Sequence, residues 1–68
     1  MAIYTVEVIV APDHPSDQTV TRLFGILQED SFAGAACARA RAVQWALATT
    51  RGGSHPHALS AEIIKMEV

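Results

Sequence analysis

The sequence predicts an α+β fold in which two strands, a helix and a third strand build a three-stranded antiparallel sheet, order 2-1-3, with the helix on one face. The chain opens on an alternating β-branched run that stops at a proline. An alanine-rich, proline-free run fills residues 31–50, and another apolar run, 59–68, ends the chain.

Ile3 to Ala11 form the first strand, rich in β-branched residues and closed by Pro12. Tyr4, Val6, Val8 and Val10 share one face, wholly apolar and predicted to meet the core. Ile3, Thr5, Glu7 and Ile9 share the other. Asp13 to Asp17, with Pro12 and Pro15, read as a turn or loop. Thr19 to Gln28 form the second strand, with a helical turn as the competing reading. Its alternation is broken around Gly25, which points to a bulge there.

Asp30 and Ser31 are good N-caps, and the helix runs from Ser31 to about Thr50. Phe32, Ala36, Ala40, Val43 and Leu47 recur at helical spacing and predict the buried stripe, widened by Ala35, Ala42 and Ala46. Arg51 suits the last turn electrostatically, and Gly52-Gly53 suits the stop. Ser54 to His57 read as a loop. Leu59 to Val68 form the third strand, with Leu59, Ala61 and Ile63 on one face and Ile64, Met66 and Val68 on the other.

The first two strands pair as a hairpin, and the helix returns the chain over the sheet. A right-handed crossover then sets the third strand beside the first, parallel to the second. One sheet face lies under the helix and the other is open.

With 68 residues the chain has room for one domain, residues 1–68, and a thin core. Its lone cysteine, Cys37, rules out an internal disulfide, so a homodimer is expected from size alone. Half of the residues are apolar and 18% are charged, a globular composition. A net charge of −2 argues against nucleic-acid binding by a basic field. No run approaches the ~20 apolar residues that span a bilayer. Glu7 interrupts the apolar start, against a signal peptide, so a cytoplasmic location is expected.

The helix's outer face is the first candidate site. At about 100° per residue, Trp45 points away from the Val43 stripe, with Gly34, Ala38 and Arg41 near it. Small residues let a partner approach, Trp and Arg are enriched at binding hot spots, and Arg41 lies one turn before Trp45 and can stack on it. The plainer reading is that Trp45 is shielded by its own loop, or merely partly exposed. The open sheet face, with Ile3, Thr5, Glu7 and Ile9, is the second candidate, for self-association; here the plainer reading is scattered surface apolar residues.

His14, His55 and His57, with Asp13 and Asp17, fall at one end of the sheet, but their spacing matches no zinc pattern, so no metal is expected. Cys37 reads as an inert, buried thiol. Glu62 and Glu67 fall on opposite faces and make no catalytic pair. Gly52-Gly53 ends a helix and does not open one, so it makes no phosphate loop. No cofactor and no enzymatic activity are expected. Arg39, Arg41 and Arg51, with Trp45 for stacking, are a small footprint for nucleic acid.

"YTVEVIVAP", a second strand, "SFAGAACARARAVQWA" and a short final strand together resemble small strand-strand-helix-strand proteins of phages and other mobile elements. The pattern is also loosely similar to the antitoxin domain of HicB type. The first resemblance implies a stoichiometric binder that occupies a surface of a host defence complex, as anti-CRISPR proteins do. A non-enzymatic protein-binding module is therefore the expectation. A small nucleic-acid-associated protein or a structural homo-oligomer subunit is the alternative.

Overall fold

The computed structural model describes residues 1–11, 18–49 and 57–68. Strand β1 is Ala2–Ala11, β2 is Val20–Gln28, helix α1 is Phe32–Thr49 and β3 is His57–Glu67. The sheet order is β2-β1-β3, both pairings are antiparallel, and α1 packs on one face, as the sequence predicts. The expected turn at Asp13 to Asp17 and the expected helix stop at Arg51 to Gly53 lie outside the described residues.

Alternation along β1 decides what is buried. Tyr4, Val6, Val8 and Val10 are all buried, and Ile26 joins them from β2. The helix side of the core is made of Gly34, Ala38, Ala42 and Ala46, all buried. Steps of four residues keep this row nearly on one side of the helix, turning about 40° per step. The core therefore joins large side chains from the sheet to small ones from the helix.

The predicted stripe is corrected here. Val43 and Leu47 flank the core and Ala35 packs beside it, but Phe32 is 93% exposed, and Ala36 and Ala40 are exposed too. In so alanine-rich a helix nearly every direction is apolar. Close approach to the sheet then selects the smallest side chains over the largest.

Ser31 caps α1: its Oγ accepts from the Gly34 N–H at 3.0 Å, and its carbonyl accepts from the Ala35 N–H at 2.9 Å. The Tyr4 hydroxyl donates to the Glu29 carbonyl at 2.7 Å, fixing the turn before the helix to the central strand. At the other end, Arg22 Nη2 donates to the Thr49 carbonyl at 3.1 Å. This puts a cation on the negative end of the helix.

β2 pairs with β1 in one unbroken register, so the bulge expected at Gly25 is absent from it. The register shifts are in β3, where Leu59 and Ile64 have no partner on β1. They reset the alternation. Ala58, Ala61, Ile63 and Met66 pair with Val10, Val8, Val6 and Tyr4, and so share the helix-facing side. The predicted faces of β3 are corrected accordingly: Met66 joins Ala61 and Ile63, and Leu59 does not.

Candidate functional site

Trp45 stands on the flank of α1 above β2. Its ring meets Phe24 edge-on, centroids 6.1 Å apart at 63°. The Arg41 guanidinium carbon lies 5.0 Å from the Trp45 ring centroid, the stacking that their spacing predicts. Thr49 Oγ1 donates to the Trp45 carbonyl at 2.7 Å. The indole is thus held by two neighbours and remains 43% exposed. Phe24 lies 21 positions earlier, and no local pattern announces that contact.

Gly34 and Ala38 do not belong to this surface, a correction to the predicted docking face. Ala38 is fully buried against the sheet. At Gly34 a Cβ would lie 2.8 Å from the Glu29 carbonyl carbon and closer still to its oxygen. The missing side chain admits the protein's own turn, not a partner. The strict four-residue row of Gly34, Ala38, Ala42 and Ala46 was the available sequence signal; the larger Phe32 and Val43 outweighed it.

The open face of the sheet divides into two halves. On one, Ile3 pairs with Leu27 while Leu23 is opposite Glu7; Ile3, Leu23 and Leu27 are exposed, and Ile9 is half-buried. On the other, Glu7 is opposite Glu62, and Lys65 Nζ lies 2.6 Å from Glu67 Oε1. That hydrogen bond, and then its charge attraction, raises the Lys65 pKa and lowers that of Glu67. Ile3, Thr5, Glu7 and Ile9 do share this face, but Glu7 and Glu62 set like charges opposite each other near its middle, against closing the whole face on a copy of itself.

Cys37 is exposed, not buried as expected, because it lies off the Gly-Ala row. His57 begins β3 and is exposed; His14, His55, Asp13 and Asp17 lie outside the described residues. Among the described residues there is no enclosed cavity and no group of three or more His, Cys, Asp or Glu that could hold a metal. Nor is any helix among them long and apolar enough to cross a membrane. Of the described arginines, Arg22 turns to the helix end and Arg41 to Trp45, while Arg39 is exposed. Compared with protein-family models, curated proteins and solved structures, the chain matches none.

Proposed function

We propose that the chain is a non-enzymatic protein-binding module that acts by covering a partner's surface, with Trp45 as anchor and Arg41 beside it. The observation that carries this reading is the half-exposed indole fixed between Phe24 and Arg41. A large aromatic already held in place loses little conformational freedom on binding, which is how hot-spot residues contribute affinity. The partner class suggested by the resemblance to mobile-element proteins is a host defence complex.

The test is retention of host-lysate proteins by the tagged chain at low and moderate salt, with wild type, Trp45→Ala and Trp45→Phe compared. One stoichiometric set of proteins should survive moderate salt with wild type. Trp45→Ala should weaken binding by more than about 1 kcal/mol, roughly fivefold or more. Trp45→Phe keeps an aromatic against Phe24 and controls for lost packing. Equal retention by a folded Trp45→Ala variant would remove Trp45 from the account. Retention of nucleic acid alone, released by salt, would overturn the reading.

A further inference from the structure

The two edges of the sheet, β2 and β3, are built differently. β3 has two register shifts, and Glu62, Lys65 and Glu67 lie along it. Bulges and charges are the devices by which natural sheets prevent edge-to-edge pairing. β2 is nine residues long, pairs with β1 without a shift, and contains neither proline nor lysine. Its one charged residue, Arg22, reaches toward the helix. The edge is long and regular, and none of these devices guards it among the described residues.

We propose that β2 is the docking edge for a second copy of this chain, pairing antiparallel with that copy's β2 about a twofold axis at Gly25. The choice of a second copy rests on self-complementarity. In this register Phe24 is opposite Ile26 of the other copy, Leu23 opposite Leu27, and Arg22 opposite Gln28. Apolar residues meet apolar ones, the cation meets an amide, and no like charges are opposed. A register centred on Phe24 would instead put Arg22 opposite Ile26.

A twofold axis through the sheet keeps its faces, so both helices lie on the same side of a six-stranded sheet. Phe24 carries Trp45 against it, so each indole borders the seam.

The experiment is sedimentation equilibrium of the purified full chain over a concentration series, with circular dichroism to establish folding. A monomer–dimer equilibrium is expected. Leu23→Lys together with Leu27→Lys sets lysines opposite each other twice across the seam, and should weaken dimerisation about tenfold or more. Leu23→Glu with Leu27→Lys sets opposite charges there and should recover most of that loss. Both leucines are exposed in the monomer, so the variants should fold. A chain monomeric throughout, a dimer indifferent to the double-lysine variant, or equal weakening by both variants would each overturn the proposal. The measurement uses no lysate, so its failure is separate from failure of the Trp45 reading.

Discussion

The covered and open faces of the sheet share their strands, and both carry large apolar side chains, yet only one is a core. On the covered face, Tyr4, Val6, Val8 and Val10 of β1 meet a helix row of glycine and alanine. On the open face, Ile3, Leu23 and Leu27 are just as apolar and have no layer over them among the described residues. Apolar side chains do not make a core by themselves; the opposing surface must come close enough to exclude water, and here small helix residues allow that.

The adjacent residues Ile26 and Leu27 give the sharpest test, since they are 1% and 55% exposed. Ile26→Ala should cost about 2–5 kcal/mol by denaturant unfolding of the dilute chain. Leu27→Ala should stay within about 0.5 kcal/mol in the same dilute measurement. Equal losses would mean that the open face is covered after all.

The helix side of the same contrast can be overfilled. Ala42→Leu should destabilise by about 1–3 kcal/mol, because it pushes the helix from the sheet. Ala40→Leu, on the exposed side, should be within about 0.5 kcal/mol. Similar melting temperatures for the two would show that the helix is not seated on its Gly-Ala row.

The smallest effect belongs to the charged half of the open face. Glu67 has a lowered pKa, so the ion pair contributes above the carboxylate's unfolded pKa and is lost as pH falls through the folded value. Lys65 has a raised pKa, so the same contribution is present below the lysine's unfolded pKa and lost above the folded one. The pair is thus complete around neutral pH. Both side chains are exposed, and Lys65→Ala should leave the melting temperature unchanged. An NMR titration should nonetheless show the Glu67 midpoint rise toward its ordinary value in that variant.

What the sequence disclosed follows from how regular each element is. β1 alternates without a fault, so its faces, its central place and the strand order could all be read. The β3 faces could not, because Leu59 and Ile64 are as apolar as their neighbours and nothing local marks them as bulged. The helix was located correctly but turned wrongly. Alanine in nearly every direction leaves the buried side to be decided by how near the sheet can come, which is a tertiary matter. Of the proposed docking face, Trp45 and Arg41 are at the surface, while Gly34 and Ala38 were drawn inside by the same turning error.

The unpaired residues of β3 also bear on how the chain tolerates changes of length. Loss of one residue from a strand ordinarily exchanges inside for outside along everything beyond it. Leu59 and Ile64 have no partner on β1. Removing either one would leave Ala58, Ala61, Ile63 and Met66 on their present side. Removing Glu62 between them would set Ile64 opposite Val6 in place of Ile63, and Ala61 and Met66 would again keep their side. The last strand thus holds two slots from which a residue can be lost while the fold keeps its phase, a freedom that the evenly paired β2 does not share.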